Sequence, residues 1–327
     1  MTPMGGDDLL AYGLARNPFL RRPLNPLDSD DDRDCISKLD GWKDLDVAAK
    51  DLIARKISDE KPVFFALVGA GKTGRTTIAN YLVHLWADAR GGKEAVFLNF
   101  DDQKYNSGTY SIPDTMTGWI QQFVSLNIKK QLGLAESTLK CLDGLSSSNW
   151  NSSRMSEALL RLEGDLQEAK SGRRQFLAAV FEHGRGDELV MKITDSFKHT
   201  QAIVIATIDD TRDSEKLVAS ARAGSDWQVL DLKPIHGADV ATLIEDQWDR
   251  VGNGENPFEL KAVPGVFDTP RPIGQVVRML AWLMEDTNAH HPGVKDAWPL
   301  VRTLKINEQV LRTFVTNYDR ELQSARR

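Results

Sequence analysis

Short, continuous apolar runs alternate with helical patterns between residues 61 and 232. Apolar residues at consecutive positions are typical of strands that are buried on both faces. These runs predict strands at 62–68, 95–100, 176–181, 202–207 and 227–232. The segments between them predict helices at 76–89, 114–133, 153–170 and 186–198. Strands that alternate with helices indicate an α/β fold, in which a parallel sheet is flanked by helices on both faces.

The pattern changes after Pro234, where only helical spacing remains. It predicts helices at 237–250, 270–287, 294–303 and 305–324. Ahead of the sheet, residues 42–57 predict another helix. The prolines and the acidic run within the first 35 residues argue against regular structure there. We therefore predict an N-terminal arm at 1–35, an α/β domain at 36–235 and a C-terminal helical, lid-like domain at 236–327.

A glycine-rich run connects the first predicted strand to the helix that follows it. The run consists of Gly69, Ala70, Gly71, Lys72, Thr73, Gly74, Arg75, Thr76 and Thr77. In this context glycines let successive backbone N–H groups converge on phosphate oxygens, and the helix N-terminus adds positive potential. A basic residue then neutralises phosphate charge, and a Ser or Thr hydroxyl holds Mg²⁺. The run predicts a site for the phosphates of ATP or ADP with Mg²⁺; the alternative is a turn with no ligand.

The run fits the phosphate-loop pattern G-x-x-x-x-G-K-[ST] in two registers. In the first, Gly69 and Gly74 are the fixed glycines and Arg75 stands in the lysine position. In the second, residues 71–73 form the end of the pattern, and its first glycine is missing. We favour the first register, because the second would place Gly74 and Arg75 inside the first helical turn.

The favoured register departs from the pattern at its basic residue. Arg75 keeps the positive charge, but its planar fork cannot occupy the loop as a compact lysine ammonium does. Thr76 follows as the candidate Mg²⁺ ligand. We expect nucleotide binding to survive this exchange and the positioning of a γ-phosphate to suffer.

Polar residues end two of the predicted strands. Glu182 ends the third and is a candidate metal carboxylate or catalytic base, although one residue cannot comfortably serve as both. Thr207 ends the fourth and would face the γ-phosphate if the sheet has the usual order. The alternative for this segment is a plain strand terminus, with Asp209 and Asp210 as turn-forming residues.

Two arginines are further candidates for the site. Arg222 lies just ahead of the fifth predicted strand. Arg271 lies in the first turn of the helix predicted at 270–287, with Thr269 as its N-cap and Pro270 at its first position. There it would be aimed back at the nucleotide; the alternative is a solvated arginine at a helix start.

Together these features resemble the AAA+ and STAND P-loop NTPases over roughly residues 10–290. The segment 12–19 also resembles the start of bacterial AAA+ ATPases from secretion and transposition systems. The resemblance implies that Thr207 is a sensor-1 residue, that Arg222 lies near the arginine-finger position and that Arg271 is a sensor-2 residue. It further implies nucleotide-controlled conformational change, often with oligomerisation.

Composition narrows the function classes. The 327 residues include 41 basic and 47 acidic side chains, a net charge of −6, which does not favour nucleic acid as the partner. Two cysteines are too few for a disulfide framework, and no apolar stretch approaches the length of a membrane span. We therefore expect a cytoplasmic protein.

Three hypotheses about function remain. The first is a nucleotide-binding switch that regulates a protein partner, with weak or absent hydrolysis. The second is an active AAA+ ATPase that assembles as an oligomer on DNA or on a DNA-bound partner. The third is a scaffold of the same fold that binds no nucleotide. Arg75 and the single acid Glu182 favour the first hypothesis over the second, and the retained loop glycines favour it over the third.

Overall fold

The computed structural model describes most of the chain. The described residues are 17–20, 22–26, 29–34, 36, 39–91, 95–101, 133–145, 151–168, 175–182, 189–209, 215–224, 226–251, 255–285 and 306–324. The helices predicted at 114–133 and 294–303 fall almost entirely outside these residues, as do residues 1–16 of the predicted arm. Among the described residues, no helix is both long and apolar enough to cross a membrane.

Five strands of the described chain form one sheet in the order β2-β3-β4-β1-β5. Their bounds are β1 Val63–Gly69, β2 Ala95–Asp101, β3 Phe176–Glu182, β4 Ile203–Asp209 and β5 Trp227–Asp231. Each neighbouring pair runs parallel. The α/β prediction is therefore confirmed, and the strands lie within one or two residues of the predicted positions.

Helices alternate with the strands, including two at 136–143 and 215–223 that the sequence did not predict. Their bounds are α1 Asp30–Asp34, α2 Asp40–Ser58, α3 Arg75–Ala89, α4 Glu136–Asp143, α5 Ser152–Gln167, α6 Leu189–Phe197, α7 Glu215–Ala223, α8 Gly237–Val251, α9 Val263–Val266, α10 Ile273–Glu285 and α11 Glu308–Ser324. The start of α5 shows how the local sequence sets a boundary. The Asn151 side chain accepts a hydrogen bond of 2.8 Å from the Arg154 backbone N–H, which caps the helix.

The central strands β1 and β4 are buried on both faces, which explains their continuous apolar runs. Phe64, Ala66 and Val68 of β1 belong to a large apolar cluster that includes residues of α4, α5, α6 and α7. The intervening residues of β1 are also buried, and α3 packs against β1, β3 and β4. Consecutive side chains of a strand point to opposite faces, so an apolar residue is needed at each position.

The chain divides into two compact units. Unit 1 contains residues 1–43, 72–74 and 233–327, and unit 2 contains residues 44–71 and 75–232. Unit 2 holds the whole sheet. Unit 1 has its own apolar cluster, built largely by α8, α10 and α11.

Residues near the N-terminus belong to the core of unit 1. Phe19 is buried and contacts Phe258 edge-on, with ring centroids 6.0 Å apart. The Asn17 side chain donates a hydrogen bond of 3.1 Å to the Ala281 carbonyl of α10. Asn17 and Phe19 therefore pack against the C-terminal part of unit 1.

The acidic run near residue 30 is also more ordered than predicted. Asp30–Asp34 forms the short helix α1, although like charges argued against regular structure there. Asp32 is buried and forms an ion pair with Arg22, and it also accepts a hydrogen bond of 2.8 Å from the Asn25 backbone N–H. These partners neutralise one charge of the run, which a pattern of charges along the sequence does not reveal.

A half-buried polar cluster lies in unit 2 around Arg90, with Glu163 as its buried member. The guanidinium carbon lies 4.9 Å from the ring centroid of Trp86 and 4.3 Å from that of Phe176. The guanidinium donates hydrogen bonds of 3.0 Å to the side chain and the carbonyl of Gln201. Glu163 accepts a bond of 2.7 Å from the Gln201 backbone N–H. Burial raises the pKa of Glu163 from 4.5 to about 7, against the lowering effects of that bond and of Arg90.

This pKa predicts a specific pH dependence of stability. The folded pKa lies above the unfolded one, so protonated Glu163 stabilises the fold below about pH 4.5, and this contribution is lost as the pH rises through about 7. We expect Glu163→Gln to remove that loss. The difference in unfolding free energy between variant and wild type should shift in favour of the variant by up to about 3 kcal/mol between pH 5 and 8. Urea unfolding at several pH values measures it.

Glu157→Gln is the matched control, because Glu157 lies on the same helix but is exposed and paired with Arg161. Its pH profile should parallel that of the wild type. If the pH profile of Glu163→Gln also parallels that of the wild type, Glu163 does not have a raised pKa in the folded protein.

Candidate functional site

The glycine-rich run forms the turn between β1 and α3. The strand ends at Gly69 and the helix begins at Arg75, which is the geometry of the first register. Gly74 has a φ of 87°, a left-handed conformation that ends the turn and does not fit a helical turn. Lys72 also has a positive φ, 68°, which costs a non-glycine residue on the order of 1 kcal/mol.

Arg75 is the first residue of α3, and its side chain is only 8% exposed. Its Nη2 forms an ion pair with Oδ1 of Asp209, the last residue of β4. Its Nη1 is buried and has no hydrogen-bond partner among the described residues. Arg75 therefore presents one engaged and one unpaired donor at the start of the helix.

The sheet register explains this ion pair. In the parallel pairing of β1 with β4, Gly69 lies opposite Asp209. The carboxyl end of β4 therefore lies beside the start of the loop. The sequence pattern indicated only a turn-forming residue at Asp209, not a partner for Arg75. The signal available was its position at a strand end, but the neighbour of β4 in the sheet cannot be known before the strand order is known.

An unpaired buried guanidinium donor is energetically costly, about 1–3 kcal/mol and more for a charged group. An anion at this position would remove that cost. The N-terminus of α3 adds a partial positive charge at the same place. The local geometry is therefore suited to bind a phosphate group.

Two predicted site residues lie at strand positions fixed by the register. Thr207 is buried in β4 and lies opposite Leu67 of β1. Glu182 ends β3, and its backbone lies opposite Asp101 of β2. Since β4 lies between β1 and β3, both positions flank the loop strand on the same side. The side chain of Glu182 lies outside the described residues.

Arg222 lies in the last turn of α7, and its side chain is exposed. It donates from Nη2 to both carboxylate oxygens of Asp231, at 2.8 and 2.9 Å. Asp231 ends β5, so the pair ties the end of α7 to the end of its neighbouring strand. An exposed pair of this kind contributes little to stability.

The structure places Arg271 two residues before α10, whereas the sequence predicted it within the first helical turn. Its backbone forms an isolated antiparallel bridge with Ile235, through bonds of 2.8 and 3.0 Å. Its guanidinium forms a bidentate pair with Asp319 of α11, with both bonds 2.7 Å long. Hydrogen bonds to Asp319 raise the pKa of Arg271 above its usual value. The bridge, which needs an extended residue, explains why the helix starts only at Ile273.

Within unit 1, the tip of the loop contacts the first turn of α10. The Gly274 backbone N–H donates a hydrogen bond of 2.8 Å to the Lys72 carbonyl. A Cβ atom at Gly274 would lie 2.8 Å from that carbonyl oxygen, closer than real Cβ contacts allow. Glycine is therefore required at this position for the observed contact. The sequence analysis did not identify Gly274, because the contact joins segments about 200 residues apart.

No cluster of three or more His, Cys, Asp or Glu side chains that could hold a metal ion occurs in the described part of the chain. Thr76, in the first turn of α3, supplies a hydroxyl oxygen of the type that Mg²⁺ accepts.

Comparisons with known proteins bear on the fold. No protein-family model matches the sequence, and the search of curated proteins finds no match. Among solved structures, the ORC2 protein of Aeropyrum pernix, solved as ADPNP–ADP complexes, aligns with a TM-score of 0.52 and 12% identity. The alignment covers 84% of this chain and 67% of that one.

Two other solved chains align with lower TM-scores. The A. pernix ORC1 protein in complex with DNA has a TM-score of 0.47 at 14% identity, covering 83% of this chain and 64% of that chain. A chain of the HORMA:CdnC:Trip13 complex of E. coli MS115-1 has a TM-score of 0.46 at 10% identity, covering 88% and 92%. At such identities the similarity concerns the fold. The parallel sheet, the loop after β1 and the C-terminal helices, together with the similarity to ORC2, give this chain the fold of AAA+-like P-loop NTPases.

Proposed function

We propose that the chain binds ATP or ADP through residues 69–77 and acts as a nucleotide-controlled switch on a protein partner, with weak or absent hydrolysis. The observation that carries the proposal is Arg75, whose buried Nη1 has no hydrogen-bond partner in the part of the chain that the structure describes and which starts a helix that follows a glycine-rich turn. The A. pernix ORC2 protein, which has the same fold, was solved as ADPNP–ADP complexes. That supports an adenine nucleotide as the ligand.

Each residue of the proposed site has a distinct role. Backbone N–H groups of the loop and Arg75 bind phosphate oxygens. Thr76 holds Mg²⁺, and Glu182 serves either as a metal carboxylate or as the catalytic base. Thr207, two residues before the end of β4, is proposed to sense the γ-phosphate. Mg²⁺ would neutralise phosphate charge, and these residues would position it.

Arg222 and Arg271 can act on the nucleotide only if each gives up or shares its present carboxylate partner. Arg222 as an arginine finger would have to release Asp231, which an exposed pair does at low cost. Arg271 as a phosphate ligand would have to leave or share Asp319. This second exchange costs more, because Arg271 is largely buried and makes two bonds to one carboxylate.

We expect weak hydrolysis because two parts of the usual catalytic machinery are altered, the basic residue of the loop and the acidic residues at the end of β3. In phosphoryl transfer, acceleration comes from positioned charge and an oriented water molecule. Arg75 stands in the lysine position and already shares its charge with Asp209. Only one acidic residue, Glu182, ends β3 to serve both the metal and the water.

The first prediction concerns binding itself. Wild-type protein should bind ATP and ADP in calorimetry with Mg²⁺, and Arg75→Ala should weaken binding about 10- to 150-fold, because one charge-assisted contact contributes roughly 1.5–3 kcal/mol. Arg75→Lys should recover part of the affinity. Arg161→Ala, which removes an exposed arginine–carboxylate pair on α5, is the matched control and should bind as the wild type does. No binding by folded wild type at millimolar nucleotide would refute the proposal.

The second prediction tests the hydrogen bond between the Gly274 backbone N–H and the Lys72 carbonyl at the tip of the loop. Gly274→Ala should displace the Lys72 carbonyl and lower nucleotide affinity about tenfold or more, since about 1.4 kcal/mol corresponds to one decade. Gly265→Ala is the control, because a Cβ there meets nothing within 4 Å. Equal affinities in both variants would show that the loop does not depend on this contact.

The third prediction concerns turnover. Phosphate release from ATP should stay below about 1 s⁻¹, the low end of typical enzymes, and Glu182→Gln should lower any residual rate further. A coupled phosphate assay measures both. Turnover at tens per second that Glu182→Gln abolishes would instead support an active ATPase.

A further inference from the structure

We propose that Asp209 sets the phosphate specificity of the loop, so that the site prefers a nucleoside diphosphate to a triphosphate. The inference rests on the proposed nucleotide binding and concerns the same site. In this proposal Asp209 determines the choice between diphosphate and triphosphate, through its negative charge and through its ion pair with Arg75.

The first step is that the ion pair with Asp209 lowers the positive charge that the loop offers to phosphates. Arg75 occupies the position of the basic residue in the phosphate-loop pattern, where a free cation would offset phosphate charge. Here its Nη2 is ion-paired with Asp209, so the pair carries no net charge. The remaining attraction comes from Lys72 of the loop, from Nη1, which has no hydrogen-bond partner among the described residues, and from the positive end of the α3 dipole.

The location of the carboxylate is the second step. Gly69 and Asp209 lie opposite each other at the carboxyl ends of β1 and β4. The Asp209 side chain is 35% exposed, so protein does not fully enclose the carboxylate. A negative charge beside the phosphate chain repels each added phosphate, and over a few ångströms this repulsion is substantial at protein dielectric constants. ATP has one more phosphate than ADP and a larger negative charge. The repulsion therefore weakens ATP binding more than ADP binding.

The persistence of the ion pair is the third step. Releasing Asp209 to admit a third phosphate would separate a charge pair whose arginine is almost fully buried. The third phosphate would compensate Arg75, but Asp209 would lose this cation while a further negative charge is brought close to it. A diphosphate can use the unpaired Nη1 and leave the pair intact, and it therefore avoids this cost.

The experiment compares dissociation constants for ADP and ATP, with Mg²⁺ and with EDTA, in wild type and Asp209→Asn. The amide keeps the shape and an acceptor oxygen for Arg75 but removes the negative charge. We expect wild type to bind ADP at least about tenfold more tightly than ATP. Asp209→Asn should improve ATP binding about 10- to 100-fold relative to ADP, in both metal conditions. Glu157→Gln, which removes the same charge from an exposed pair on α5, should leave the ratio unchanged.

A measurement on wild type alone guards against misfolding of the variant. If repulsion by Asp209 disfavours ATP, raising the salt concentration to about 0.5 M should bring the two affinities closer together, because salt screens partly exposed charges. A site dominated by attraction predicts the opposite trend, since ATP would lose more affinity than ADP.

The outcomes separate this inference from the proposed function. No binding of either nucleotide by wild type overturns both. If wild type binds nucleotide but Asp209→Asn leaves the ratio of ADP to ATP affinity unchanged, only the specificity role of Asp209 is overturned. A loss of binding in Asp209→Asn only when Mg²⁺ is present also overturns it and makes Asp209 a metal ligand.

Discussion

The parallel register of β1 with β4 is the constraint on which the candidate site depends. It places the end of the loop strand beside the end of β4, so Gly69 and Asp209 become neighbours although 140 residues separate them along the chain. α3 starts directly after the loop, and its first residue is then within reach of the β4 carboxylate. Sheet pairing thus determines which charge faces the arginine of the loop.

The turn itself combines an unfavourable conformation with contacts that maintain it. Lys72 adopts a left-handed conformation, and its carbonyl accepts the backbone N–H of Gly274. Such strain persists only where the surrounding structure determines the conformation. The contact uses backbone atoms on both sides, so it depends on the absence of a side chain at residue 274 more than on the identity of residue 72.

The parts predictable from sequence are those that local patterns encode. The apolar run 63–68 predicted β1, and the glycine spacing predicted the turn between it and α3. The charge environment of Arg75 was not predictable, because it depends on strand order. The same holds for Arg271, whose partner Asp319 lies 48 residues further along the chain. Local pattern also failed for α1, where a distant Arg22 compensates a buried Asp32.

The discontinuity of unit 1 has a consequence for the order of events during synthesis. Phe19 is made early, yet the apolar cluster that buries it consists mainly of residues beyond Ile235. A ribosome adds about 5–20 residues per second, so roughly 10–40 s pass before those partners begin to emerge. All five strands of the sheet are synthesised before then. During that interval Phe19 lacks most of the apolar residues that bury it in the folded chain.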